Sequence, residues 1–112
     1  MRVDEGLPLT EAFFYILLAL YTAPSHGYAI MQEVERMSGA QVRIGAGTLY
    51  TALNTLQKKG LIDREPAPQG SDPRRKLYAI TRLGHVVLQS EVDRLKDMVR
   101  NADTILRTER SL

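Results

Sequence analysis

The chain has 112 residues, 44% hydrophobic and 25% charged, which is the balance of a folded globular domain and the length of one domain with a modest core. It has no cysteine, which excludes disulfides and thiolate metal sites and fits a cytoplasmic protein. Net charge is only +2, yet residues 36–82 carry a balance of +6 and the remainder one of −4, so the middle of the chain offers a basic surface suited to a polyanion.

The longest apolar run, AFFYILLALY at 12–21, is too short to cross a bilayer. Asp4, Glu5 and Glu11 stand where a signal peptide carries positive charge, and no cleavage-like sequence follows. The run reads as a buried helix, with Thr10 before Glu11 as its N-cap. Phe13, Ile16, Leu17 and Leu20 form one apolar stripe, and Phe14, Leu18 and Tyr21 a second. A helix apolar on two sides must be covered on two sides, and a domain of this size has little material to do so, which points to a partner subunit.

TAPSH breaks this helix. Ser25 is expected to cap the next one, with Tyr28, Met31 and Val34 as its buried face and Gly39 in the C′ position. QVRI at 41–44 is extended. The stretch GAGTLYTALNTLQKKG at 45–60 then predicts a third helix behind a tight glycine turn, with Thr48 near the N-cap. A phosphate loop needs a lysine and a hydroxyl directly after its last glycine, and here no lysine comes before Lys58. The dinucleotide pattern of three glycines with a later acid is also missing.

At 100° per residue Leu49, Ala52, Leu53 and Leu56 share one side of this helix. Tyr50, Thr51, Asn54, Thr55 and Lys58 occupy the other, with no acid among them. A face selected for solubility alone favours Glu, Lys and Arg in i to i+4 pairs. Hydroxyls, amides and phenols instead exchange hydrogen bonds with base edges and phosphates, and small side chains allow close approach to a groove.

LIDRE at 61–65 and RRKLYAI at 74–80 read as two short strands joined by the turn PAPQGSDP. Arg64, Arg74, Arg75 and Lys76 lie in or beside this hairpin, and Arg43 just precedes the third helix. Thr81 caps a long final helix in which Leu88, Val92, Leu95, Val99, Ala102 and Leu106 follow a heptad a/d seam, widened by Met98 and Ile105. The order helix, helix, turn, helix, basic hairpin is that of a winged helix-turn-helix, mainly α with a small β hairpin. In that plan the third helix enters the major groove and the hairpin contacts the backbone or minor groove. Residues 1–80 are expected to form the nucleic-acid-binding part, and residues 81–112 a helix packed with the 10–22 helix in the same compact unit, its heptad seam suited to dimerisation. The candidate DNA-contacting residues are Arg43, Thr48, Tyr50, Thr51, Asn54, Thr55, Lys58, Arg74, Arg75 and Lys76.

His26 and His85 are the only histidines, too few for a convergent metal site. His26 at a helix start suits capping or packing, and His85 lies near the surface. No serine or carboxylate pair is placed for catalysis, and no cofactor is expected; the chain does not read as an enzyme.

The segments LTEAFFYILLAL, HGYAIMQEVE, GAGTLYTALNTLQKKGLI and RRKLYAITRLGHVVL resemble the PadR-like transcriptional regulators, in particular the short members with one C-terminal helix. The resemblance covers roughly residues 9–88; beyond it only length and heptad character match. It implies a homodimeric, DNA-binding repressor on a pseudo-palindromic operator, dimerised by the last helix with help from the first. Phe13, Phe14, Leu17, Leu88, Val92, Leu95, Val99, Ala102 and Leu106 would then be interface residues. It also implies release by an aromatic or drug-like effector near that interface. Tyr50 matches the family's tyrosine at the start of the recognition helix, while Thr51 replaces a common proline and Gln57 a usual glutamate. Short members that stack planar ligands on a tryptophan have no counterpart here, because the chain has none. Phe13, Phe14 and Met98 could line an apolar cavity instead, or simply pack the dimer. The alternative to a DNA-binding regulator is a winged-helix protein-interaction module whose long helix forms a heteromeric coiled coil.

Overall fold

The computed structural model describes residues 8–66, 70 and 76–110. In chain order these form α1 (Glu11–Thr22), α2 (Gly27–Met37), α3 (Ala46–Lys58), β1 (Ile62–Glu65), β2 (Leu77–Ile80) and α4 (Arg82–Arg110). β1 and β2 pair antiparallel with Ile62 opposite Ile80 and Glu65 opposite Leu77. Ser25 adds a single bridge to β2 through two backbone hydrogen bonds with Tyr78, of 3.0 and 2.9 Å. This is the winged helix-turn-helix architecture with a long last helix.

The core is assembled from one stripe of each element. Ile16, Leu17 and Leu20 of α1, Ile30 and Val34 of α2, and Leu49, Leu53 and Leu56 of α3 meet Leu61, Ile62 and Tyr78 of the hairpin and Val87 and Leu88 of α4. Thr10 caps α1 as expected, its hydroxyl accepting from the Phe13 N–H at 3.1 Å. For α2 the expectation fails in two places. His26 is the N-cap, its Nδ1 accepting from the Ala29 N–H, because Ser25 is held by its backbone on β2. Tyr28 is 62% exposed: the inward stripe runs Gly27, Ile30, Val34, and Tyr28 lies about 160° from Ile30 on the wheel. α3 also begins earlier than expected. Gly45 is its N-cap with no side-chain bond, a position that glycine tolerates, so Thr48 sits inside the first turn.

α3 stops in a Schellman motif. The Gly60 N–H donates to the Gln57 carbonyl and the Leu61 N–H to the Leu56 carbonyl, both at 3.0 Å. Gly60 takes φ +76°, which a residue with a Cβ adopts only at a cost. The start of α4 is fastened to this same point. The Thr81 hydroxyl donates to the Gly60 carbonyl at 2.6 Å and accepts from the Gly84 N–H at 3.1 Å, and the Thr81 N–H donates to the Leu61 carbonyl at 3.0 Å.

α4 runs 29 residues, but only its beginning is buried. Gly84, Val87, Leu88 and Glu91 face the core, and every position from Leu95 to Thr108 is exposed. The molecule is therefore elongated, 65 × 32 × 22 Å. Two residues of the expected interface, Leu17 and Leu88, are taken up by this core at 0% and 4% exposure: Leu17 lies on the inward stripe of α1, and the heptad seam of α4 starts inside the protomer before it leaves it. No described helix is long and apolar enough to cross a membrane.

Glu91 is a charged side chain at 1% exposure. Its carboxylate accepts from the Leu9 N–H at 2.6 Å and from Arg94 Nε. The Arg94 hydrogen bond holds its pKa below the ordinary glutamate value against the opposing effect of burial, and the Leu9 N–H adds to the lowering. Glu91 thus contributes stability above its unfolded pKa, about 4.3, and that contribution is lost as pH falls through the lower folded value. Glu91→Gln is expected to cost about 1–3 kcal/mol at pH 7, and the gap from the parent chain to narrow below about pH 4 in urea unfolding curves; a pH-independent gap would contradict this. A Cβ on Gly84 would lie 2.2 Å from the Leu61 carbonyl oxygen, so Gly84→Ala is expected to lower the unfolding free energy by about 1–3 kcal/mol, measured the same way.

Candidate nucleic-acid interface

α3 buries Leu49, Ala52, Leu53 and Leu56, which turns Thr48, Tyr50, Thr51, Asn54, Gln57 and Lys58 outward as exposed residues, with Thr55 partly covered. The 3.6-residue period places Thr51, Asn54 and Lys58 along the crest, Tyr50 on one shoulder, and Thr48 and Thr55 on the other. Thr55 donates its hydroxyl to the Thr51 carbonyl at 3.1 Å, so that donor is already engaged. No acid occurs anywhere in α3.

A groove flanks each shoulder. On the hairpin side, His26, Gly27 and Tyr28 at the start of α2, Tyr50 and Asn54 of α3, and Arg64, Lys76 and Tyr78 of the hairpin line an open, polar groove of ≈ 600 Å³. It contains two cations, two exposed phenols, a carboxamide and an imidazole, and no carboxylate. Among the described residues neither Arg64 nor Lys76 makes an ion pair. On the other side, Thr48, Thr51 and Thr55 line a second groove with Thr10, Ala12 and Phe13 of α1. Hydroxyls and methyls dominate there.

The sequence-predicted residues are therefore distributed unevenly. Tyr50, Asn54 and Lys76 come together in the first groove, Lys58 adjoins Asn54 and Gln57 further along the crest, and Thr48, Thr51 and Thr55 share the second. Arg43 lies apart, paired with Glu35 at 3.4 Å on the exposed end of α2. Arg74 and Arg75 lie outside the described residues. Sequence reasoning missed Tyr28, which it placed in the core; the spacing of Ile30 and Val34, four apart on one face, already leaves Tyr28 outside. Arg64 follows Asp63 in an exposed run of β1, and alternation from the buried Ile62 is the signal that separates the two.

Within the protomer, Phe13, Phe14 and Met98 lie on different surfaces. Phe13 faces α3. Phe14 lies in a separate groove of ≈ 450 Å³ between α1 and α4, with Val92, Leu95 and Val99 as an apolar floor and Lys96, Arg100 and Asp103 at its rim. Met98 is 54% exposed, its sulfur 3.1 Å from Arg94. Consecutive residues of a helix are 100° apart, so Phe13 and Phe14 must serve different surfaces. His85 is exposed and packs edge-on against Tyr21 with ring centroids 5.0 Å apart.

The family model described as the transcriptional regulator PadR-like family matches residues 16–90. An uncharacterized 37.1 kDa transposon protein of Streptomyces fradiae is 36% identical over 81 residues, which is 72% of this chain and 22% of that protein, so the chain spans about a fifth of that relative's length. A PadR-like transcription factor of Bacteroides fragilis is 26% identical with a TM-score of 0.70, over 83% of this chain and 87% of that one. A PadR family regulator of Clostridium difficile shares the fold with a TM-score of 0.73 at 22% identity, over 87% of this chain and 99% of that one.

Proposed function

Because the chain belongs to the PadR-like family of transcriptional regulators, we propose that it binds double-stranded DNA with α3 in the major groove and the hairpin against the neighbouring backbone. The observation that carries this reading is the acid-free crest of α3 standing beside Arg64 and Lys76 in one polar groove. Protein surfaces selected only for solubility intersperse both signs; a face with donors, acceptors and cations but no carboxylate matches a phosphate-lined groove. Asn54 offers the two-pronged amide that reads adenine, and Lys58, Arg64 and Lys76 suit phosphates. Arg74 and Arg75 belong to the same basic hairpin sequence.

The functional unit is a homodimer. From Leu95 onward α4 carries Leu95, Val99, Ala102 and Leu106 on one stripe with Met98 and Ile105 beside it, all exposed in the protomer. Such a stripe gains about 25 cal/mol for each Å² covered by a second copy. A two-fold dimer presents two α3 helices to successive major grooves of a pseudo-palindromic site, about 34 Å apart. Seated on a promoter, it acts as a repressor by excluding the transcription machinery. The groove between α1 and α4 has the volume and the apolar floor of a small-molecule site. An aromatic or drug-like effector bound there would shift the α1–α4 geometry and with it the spacing of the two α3 helices, which releases the operator. No catalytic step is part of this reading.

Fluorescence anisotropy with a duplex from the protein's own upstream region, at two salt concentrations, tests it. Lys76→Ala is expected to weaken binding on all sequences and to reduce the salt slope by about 1. Asn54→Ala is expected to lose about 1–3 kcal/mol on the preferred sequence only. If neither variant changes binding, α3 and the hairpin do not contact DNA; if the parent chain shows no salt-sensitive binding at all, the protein-interaction alternative stands. Val99→Asp is expected to give the protomer mass in light scattering with the circular dichroism of the parent chain; a persistent dimer would rule out α4 as the interface.

A further inference from the structure

Two described glycines have no room for a Cβ, and they differ in what blocks it. At Gly84 the obstacle is backbone, the Leu61 carbonyl, and the constraint is architectural. At Gly27 the obstacle is a side chain. A Cβ there would lie 2.7 Å from the Tyr50 phenol oxygen, 3.1 Å from its Cζ and 3.3 Å from Leu49 Cδ2. Gly45 and Gly47, at the start of α3, face open space by the same measure.

Gly27 is the first residue of α2 and has no left-handed φ, so its backbone does not require glycine, and glycine is less favourable in a helix than alanine. What it provides is a buried floor on which the end of the Tyr50 ring rests. Tyr50 itself is 48% exposed, and its phenol makes no hydrogen bond to another described residue. Among the described residues no polar partner therefore holds the phenol in place. Packing on Gly27 does, and both residues line the polar groove together with His26, Tyr28, Asn54, Arg64 and Lys76.

From this geometry we propose that Gly27 is a positioning residue for DNA recognition: it sets the height and direction at which the Tyr50 hydroxyl meets the nucleic acid, although Gly27 itself touches none. The proposal rests on the reading of α3 as the DNA-facing helix and deepens it. A methyl group at position 27 must displace the end of the Tyr50 ring, which is the free end of an exposed side chain and can move with little disturbance of the core. Removing the hydroxyl relieves the shortest of the three contacts. Gly27→Ala and Tyr50→Phe should therefore be coupled in DNA binding and nearly uncoupled in stability, a pattern that simple helix packing between α2 and α3 does not produce.

The experiment measures anisotropy of the upstream duplex and of a scrambled duplex, together with urea unfolding, for the parent chain, Gly27→Ala, Tyr50→Phe and the double variant. Gly27→Ala is expected to lose about tenfold on the upstream duplex, or 1.4 kcal/mol, with little change on the scrambled one. The double variant is expected to regain most of that loss relative to Tyr50→Phe. Additive losses, or a loss that follows the unfolding free energy, would overturn the proposal. Nuclear Overhauser contacts between the Gly27 Hα protons and the Tyr50 ring in the unsubstituted protein give a readout that does not depend on any variant folding; their absence also overturns it. A parent chain that binds DNA while Gly27→Ala binds with unchanged affinity and preference sinks the positioning role alone. A parent chain that binds no DNA sinks the reading of α3 as well.

Discussion

The fold turns on the backbone around Leu61. Its amide closes the Schellman motif of α3, its carbonyl accepts from Thr81, and that carbonyl packs where a side chain on Gly84 would otherwise sit. Within a few residues, one helix ends, a strand begins and the long helix departs. The angles among α3, the hairpin and α4 are thereby fixed by backbone hydrogen bonds and hard contact, both of which tolerate little displacement. Side-chain packing then fills the space this junction defines, with Leu56, Ile62 and Val87 closing around it at 0% exposure.

That junction explains how a small core can support two unlike surfaces. α3 is gripped at its end by the junction and along one side by leucines, which leaves an uninterrupted polar crest between two grooves. α4 is gripped for about three turns and then leaves the body of the protein. The buried Glu91 marks the boundary. Its carboxylate ties the backbone at Leu9 to α4, which joins the chain just ahead of α1 to the last helix. A buried charge is a costly way to join two segments, and its directionality gives what an apolar contact lacks: it fixes register as well as proximity.

Much of this was legible in the sequence, and most of the failures share a cause. Periodicity located all four helices, the hairpin, the inward leucines of α3 and the exposed crest, because each depends on the spacing of residues within one element. Thr10, Thr81 and Gly39 were legible as caps for the same reason. Tyr28 and the grouping of Phe13 with Phe14 failed on spacing within one helix; the other failures depended on contacts between elements. Ser25 lost the cap of α2 to His26 because β2 claims its backbone. Leu17 and Leu88 sit on stripes with the right spacing for an interface, but only the packing of α4 on α1 reveals that the protomer consumes them. Phe13 and Phe14, adjacent in sequence, were grouped by chemistry when helical geometry separates them. Glu91 lies three residues after Leu88 on the inward stripe, yet an acid in a heptad helix reads as surface until its partner at Leu9 is known.

The closure of the core within one chain has a consequence for control by abundance. Leu17 and Leu88 are buried without a second copy, while Leu95, Val99 and Leu106 stay exposed, so only the far part of α4 depends on association for cover. On the proposed homodimer, a single copy below the dissociation constant presents one α3 and has a fraction of the affinity of two. Occupancy of a two-half-site target then rises with the square of protein concentration. On that proposal the point along α4 where burial stops sets a threshold in dosage, and moving it by one helical turn would shift the threshold without altering a single residue of the α3 crest.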